Sequence, residues 1–394
     1  MDYVLFWGCC SVLLYVYVLY PLSMRLLAMW VGRRAIRASA LPTVTIVVTA
    51  YNEERCIRAK LDNLLALHYP PELVDIVVAS DGSSDATEEI AASYERRRVR
   101  VLRLEGRRGK TACQNAAAGV ATGEILVFTD ATTRLRADAL RYLVEGFADP
   151  NVGCVGGSLR YVSEVDNIIG REGETYWSYE LRLRAAESRL GSLIGVSGCL
   201  YAVRRNAYRP INPALISDFV IAMKMREQGL RTVLAPEAVC FEATLDHGRH
   251  ELSMRVRVAI RSLNALIRER RFLNPFKYRL FALQLWSHKV LRYASPLLWL
   301  GAFVSNVALA WEPLHAVLAR QSPHSWWDAV YLFLMTLQTL LLLAGTVGFV
   351  LQDNQRQLGL FGKPYYFLLT NLASLIATLR YLQGERMIVW NPIR

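Results

Sequence analysis

Uncharged apolar runs stand near both ends of this chain, and no run of spanning length lies between Arg33 and Arg292. Residues 3–22 are rich in Val, Leu, Tyr and Phe and are long enough to cross a hydrocarbon core of about 30 Å as a helix. No basic segment precedes them, whereas Arg25, Arg33, Arg34 and Arg37 follow. That order argues against a cleaved leader and, by the positive-inside rule, places the N-terminus outside and the following chain in the cytoplasm. Three further runs, 296–311, 330–351 and 365–382, lie near the other end. Four crossings would return the C-terminus to the outside, which Arg386 and Arg394 oppose, so the last run is expected to span or to be re-entrant or interfacial. The chain therefore divides into a membrane helix at 1–31, a cytoplasmic domain at 32–250, an amphipathic segment at 251–293 and a C-terminal membrane region at 294–394.

A hydrophobic content of 53% excludes a disordered chain, and the formal charge of +12 suits an anionic partner such as a lipid surface or a nucleotide. Much of the charge sits in one place. Residues 251–293 hold ten basic side chains against two acids, Glu251 and Glu269. Apolar residues recur there at helical spacing through Leu252, Val256, Ile260, Leu263 and Ile267, then through Phe276, Leu280, Leu283 and Trp286 after Asn274-Pro275. Two basic amphipathic helices on the inner membrane face fit this pattern and lead directly into a span; an ordinary helix pair covering the globular domain is the alternative. A nucleic-acid partner is not expected. The seven cysteines form no CxxC pair and no zinc spacing, so a reducing compartment fits better than a disulfide scaffold.

Within the cytoplasmic part, strand and helix patterns alternate. Strands are expected at 43–49, 73–79, 98–104 and 125–128, and helices at 53–67, 85–96 and 110–121. Near-continuous apolar strands separated by helices imply an α/β fold with a mostly parallel sheet covered on both faces. Ligands bind such sheets at the C-terminal strand ends, where Tyr51, Asn52, Glu53, Asp81 and Asp130 fall. Gly109-Lys110-Thr111 looks like the tail of a P-loop, but the first glycine of that motif would fall at Leu104; no GxGxxG follows the first strand either.

The sequences VTAYNEE at 48–54, ASDGSSDAT at 79–87, Gly109-Lys110 with Asn115, and FTDAT at 128–132, in this order and spacing, resemble the family-2 inverting glycosyltransferases of GT-A (Rossmann-like) fold. With its flanking membrane runs the chain is similar to the branch containing hyaluronan, cellulose and poly-N-acetylglucosamine synthases. The resemblance implies that Ala50, Tyr51, Asn52, Glu53 and Asp81 cradle uridine, with Lys110 near the nucleotide as a point charge. Asp81 and Asp85 also suit turn and cap positions without any ligand.

Asp130 is the implied metal ligand for Mg²⁺ or Mn²⁺, which take few protein carboxylates plus substrate phosphates. Thr132 replaces the second aspartate of the usual DxD, and His247 is a conceivable further ligand. Ser217-Asp218 resembles a TED-type segment and makes Asp218 the implied catalytic base, although an aspartate in a first helical turn is also favoured by the helix dipole. Residues 254–258 occupy the place of a QxxRW element, retaining Arg257 but carrying Met254 and Val258. Trp177 could supply an aromatic platform instead, or pack a core. Cys199, in a segment resembling an acceptor loop, could touch the acceptor.

The function expected is inverting transfer from a UDP-sugar to a growing cell-surface polysaccharide or glycan. Alternatives are single-sugar transfer to a lipid-linked acceptor and, from another class, a silent binding subunit of a synthase complex. Membrane lipids are expected partners, and the catalytic domain is expected on the cytoplasmic side of a plasma or inner membrane.

Overall fold

The run Val44–Ala50 is buried along its whole length and forms strand β1. A computed structural model describes residues 1–33, 41–162, 168–243, 248–322, 325–351 and 359–387 of the chain. Strands β2 (Val74–Ser80), β3 (Val99–Arg103) and β4 (Ile125–Asp130) lie parallel to β1, joined by helices Ile57–Leu65, Thr87–Ala92 and Lys110–Val120. These agree with the strand and helix positions expected from the apolar pattern. Side chains alternate between faces: Ile46 and Val48 pack with Ile57 and Leu61, whereas Val47, Leu126 and Phe128 pack with Cys113, Phe219 and Val220 on the other side.

The sheet continues beyond the part the pattern revealed. Strands β5 (Arg134–Leu135), β6 (Val152–Val162), β7 (Leu200–Arg204) and β8 (Arg231–Ala243) complete an eight-stranded order β3-β2-β1-β4-β7-β6-β8-β5. Four of the seven neighbouring pairs are parallel and three antiparallel, so the mostly parallel expectation stands but one half is mixed. Because β1 pairs β2 on one side and β4 on the other, the chain direction away from the sheet reverses between β1 and β4. A crevice opens there, with Thr49 in register with Asp130.

The entry to β4 is tightly packed. A Cβ on Gly123 would lie 2.4 Å from the Thr45 backbone nitrogen and 2.6 Å from the Val44 carbonyl carbon, neither of which can rotate away. Gly123→Ala is expected to destabilise the domain by about 1–3 kcal/mol, read as a lowered melting midpoint.

Three helices are long and apolar enough to cross a membrane: Asp2–Val31, Leu280–Leu318 and Trp326–Leu351. The run at 365–382 forms helix Gly362–Leu382 and is not one of them. Its Ala373 and Ala377 pack on Val256, Ala259 and Ile260 of helix Gly248–Arg268. The apolar face of that first amphipathic helix is therefore largely covered by protein instead of lying open to lipid. The second amphipathic segment also differs from expectation. Asn274 accepts hydrogen bonds from the Phe276 and Lys277 amides and starts a single turn, after which Leu280 begins a helix that runs without a break to Leu318. The boundary expected at 293 falls inside this helix, which passes from the domain surface into the apolar region. Side chains tie it to the N-terminal helix: Tyr15 to Ser287 at 2.8 Å and Tyr17 to Ser295 at 2.9 Å. Arg34, Arg37 and Arg394 lie outside the described residues.

Candidate active site

At the end of β2, Asp81 is fully buried. Its carboxylate accepts from the backbone N–H of Arg108 at 2.7 Å and of Gly109 at 3.0 Å. These bonds fix the loop that starts helix Lys110–Val120, where Gly109 adopts φ +88°, a conformation open to glycine. Asp81 thus shapes the loop from beneath and sends Lys110 across the crevice. Lys110 Nζ pairs with Asp130 Oδ1 at 2.5 Å and donates to the Gly198 carbonyl at 3.2 Å. On the far side, Asp218 stands in the first turn of helix Ser217–Glu227. Its backbone carbonyl accepts from Val196 N–H at 2.9 Å, which binds the acceptor-like loop to this helix start.

Gly198 is needed where these groups meet. A Cβ there would sit 2.5 Å from Asp218 Oδ2 and 3.1 Å from Lys110 Nζ. Gly198→Ala is expected to displace both side chains and to lower turnover by at least about tenfold, the effect of a shift of under an ångström in a positioned group. Steady-state kinetics with an unchanged melting midpoint would check this.

Electrostatics distinguish the carboxylates. Burial raises the Asp218 carboxyl above its ordinary range, while the charges of Lys110, Arg261 and Lys289 oppose the rise. Burial pushes Lys110 down, but Asp130 and Asp218 outweigh it and hold the ammonium above its usual value. Glu242, at the end of β8, is pushed up to about 7 by burial and by the neighbouring Asp130. Cys199 donates its thiol to Glu242 Oε2 at 3.4 Å, and burial with that carboxylate holds the thiol well above its ordinary range, so it is a neutral donor.

Glu53, Lys110, Asp130, Cys199, Asp218 and Arg257 line one cavity of about 930 Å³. Ala50, Tyr51, Asn52 and Asp81 are not in that lining and build the neighbouring wall. The Ala50 carbonyl accepts from Asp81 N–H at 2.9 Å. Asn52 takes φ +52° and accepts from Ser84 N–H at 2.8 Å, and the Arg107 guanidinium lies 3.8 Å over the Tyr51 ring. Trp177 lines the cavity, edge-on to Tyr161, with its indole N–H donated to the Leu159 carbonyl at 2.6 Å.

Three site groups were not singled out by sequence reasoning. Glu242 belongs to no motif. Arg261 reads as one more charge of a basic helix. Lys60 is buried beneath β4, donating to Thr129 Oγ1 at 2.8 Å and to the Thr133 carbonyl at 2.7 Å, and so pins the strand end that carries Asp130. A lysine inside the apolar helix pattern at 57–65 was the available signal.

The donor chemistry fits a hard divalent cation. Asp130 and Glu242 are neighbouring carboxylates whose repulsion a cation between them would relieve, and Lys110 already places a positive charge on Asp130. Among the described residues no group of three or more His, Cys, Asp or Glu side chains could hold a metal, so Asp130 and Glu242 would have to share the ion with substrate oxygens. Thr132, exposed beside Asp130, lines the same cavity; His247 lies outside the described residues.

The cavity reaches the long apolar helices Asp2–Val31 and Leu280–Leu318 through Tyr17 and Ser295, and helix Gly362–Leu382 through Asn371. Beside them is a buried ionic chain. Tyr20 donates to Glu187 at 2.5 Å, the His288 ring stands 2.9 Å from Glu187 and 2.8 Å from Glu180, and Arg292 pairs with Glu180 at 2.8 Å.

Comparison with known proteins gives consistent results. Residues 45–211 match the model of Glycosyl transferase family 2. The poly-beta-1,6-N-acetyl-D-glucosamine synthase of Staphylococcus aureus strain COL is 26% identical over 275 residues, a match spanning 66% of each protein and so just under two thirds of that relative's length. The Staphylococcus epidermidis synthase of the same name is 25% identical over 205 residues, covering 50% of this chain and 49% of the relative. A mannosyltransferase from Pyrobaculum calidifontis, solved with GDP-Man and Mn²⁺, superposes with a TM-score of 0.71 at 23% identity, covering 97% of this chain and all of that one.

Proposed function

We propose that this chain, which carries a glycosyl transferase family 2 domain and is similar to polysaccharide synthases, transfers a hexosyl or N-acetylhexosaminyl group from a UDP-sugar, with inversion, to a growing glycan at a membrane surface. The observation that carries this reading is the bridge made by Lys110, which joins Asp130 and lies against Asp218 in one cavity although β4 and helix Ser217–Glu227 are far apart in the chain.

The sugar diphosphate lies over Lys110 and Arg257, which supply positive charge to the leaving group. The loop from Ala50 to Glu53 and the Asp81-braced turn hold the nucleoside. A Mg²⁺ or Mn²⁺ ion held by Asp130 and Glu242 would neutralise charge on the departing diphosphate. Asp218 accepts the proton of the acceptor hydroxyl, whose oxygen attacks the anomeric carbon as the bond to UDP breaks on the opposite face. Trp177 and Cys199 lie on the acceptor side. The catalytic domain faces the cytoplasm, as the basic residues after the first span support.

A lipid-linked acceptor receiving one sugar is the second reading, favoured by a cavity that runs on to Tyr17, Ser295 and Asn371 of the membrane-associated helices. The test is release of nucleoside diphosphate by the full chain in lipid bilayers supplied with UDP-sugars, with GDP-mannose as the comparison donor and product length measured by mass. UDP release that depends on a UDP-sugar supports the reading, a ladder of lengths selects polymerisation over single addition, and no release, or release from GDP-mannose alone, refutes it.

A further inference from the structure

Arg261 combines three properties that do not coexist without a reason: it is a charged side chain 9% exposed, its Nε has no hydrogen-bond partner, and it lines the cavity. Among the described residues it forms no ion pair, whereas Lys110, Arg255 and Arg292 in the same lining each have a carboxylate within 2.8 Å. Burying a guanidinium without a matched anion is costly, and proteins keep such an arrangement where a ligand supplies the anion.

The helix that carries it separates two charges. Arg257 and Arg261 are one turn apart, about 6 Å along the axis at 1.5 Å per residue. The acidic charge acting on Arg257 is Asp130, on the donor side, while the one acting on Arg261 is Asp218, on the acceptor side. Lys289 approaches from the long helix that enters the membrane region, also bears on Asp218, and stands 5.2 Å from the Phe219 ring. One carboxylate therefore faces two cations beyond Lys110, leaving positive charge where the acceptor must sit.

We infer that Arg261 and Lys289 form an oxyanion-binding subsite for the acceptor, so that the substrate carries a phosphate or carboxylate close to the hydroxyl presented to Asp218. This rests on the proposed transferase reading. Two sources share the chemistry: the diphosphate of a polyprenyl-linked sugar, and the carboxylate of a hexuronate-containing glycan. A planar guanidinium suits both, since it donates two parallel N–H bonds to either oxyanion.

The experiment measures binding to the full chain in lipid nanodiscs with three acceptor probes: a short-chain polyprenyl diphosphate N-acetylglucosamine, a glucuronate-terminated disaccharide and a neutral N-acetylglucosamine disaccharide. UDP binding is measured alongside. One anionic probe is expected to bind at least tenfold more tightly than the neutral one, and Arg261→Gln with Lys289→Gln to weaken it by tenfold or more while UDP affinity changes less than threefold. Arg261→Lys recovers part of the loss. The melting midpoint of Arg261→Met is expected to stay level or rise, because an isolated buried charge is removed; a fall would mark Arg261 as a structural residue and overturn the inference. It is also overturned if the neutral probe binds as well as both anionic ones, or if the double variant loses UDP affinity in parallel, which would assign the two cations to the donor diphosphate. Failure of the wild-type chain to bind UDP at all would instead refute the transferase reading.

Discussion

Asp218→Asn is expected to lower glycosyl transfer by about 10²–10⁴-fold, or about 3–5 kcal/mol in barrier height, while leaving UDP binding and folding close to the parent. Asparagine keeps the size of the side chain and its place in the first helical turn but cannot take a proton. The burial of this carboxyl and the cations around it support the proposed role as a base. Burial raises the carboxyl above its ordinary range, toward values that suit proton removal, while the charges of Lys110, Arg261 and Lys289 oppose the rise and favour the ionised form. The sign of the pH dependence follows: the base must be unprotonated, so turnover falls as pH drops through its raised pKa, and the acid limb of the rate profile lies above that of an ordinary aspartate. Single-turnover transfer measured from pH 5 to 8, with UDP affinity as the control, checks both statements. A variant that turned over normally would remove Asp218 from the chemistry and leave it as a helix-capping charge.

The parts of this site that the sequence disclosed are those built from local patterns. Strands β1 to β4 are short apolar runs, and the polar residues at their ends, Glu53, Asp81 and Asp130, announce themselves because polar groups interrupt buried strands only at edges and sites. The order of motifs then supplied Lys110 and Asp218. What stayed hidden depends on contacts between distant segments. Strand β6 contains Gly153, Gly156 and Gly157, whose missing side chains make room for Leu230, Val196 and Leu200, so its pattern does not stand out as a strand. Glu242 acquires meaning only because β8 pairs with β6 and brings it beside Cys199 and Asp130.

The same physics explains the revised membrane reading. Helical periodicity showed that Val256 and Ile260 share an apolar face, and a basic amphipathic helix next to a span suits a lipid surface. Periodicity does not say what covers the face. Ala373 and Ala377 do, and their small side chains let helix Gly362–Leu382 approach closely. Arg261 was hidden for a related reason: on a helix with so many cations, only packing can show which one is turned inward without a partner.

Asp130→Asn is expected to abolish metal-stimulated donor binding and to lower turnover by about 10³-fold or more, since a cation at a diphosphate leaving group contributes several kcal/mol of transition-state stabilisation. Two effects act together. The variant removes one of two carboxylates able to hold the ion, leaving Glu242 alone, and it removes the partner of Lys110, whose ammonium then has Asp218 as its remaining nearby carboxylate. A tighter Lys110–Asp218 pair would depress the base as well, so the acid limb of the rate profile should move to lower pH in this variant while the plateau falls. Its signature differs from that of Asp218→Asn: the base variant retains Mn²⁺-dependent UDP binding, and the Asp130 variant does not. Titrating UDP by calorimetry with and without Mn²⁺ separates the two. Undiminished Mn²⁺ stimulation in Asp130→Asn would move the cation away from the end of β4, and the pairing of Asp130 with Lys110 would then be a structural contact instead of the floor of the donor site.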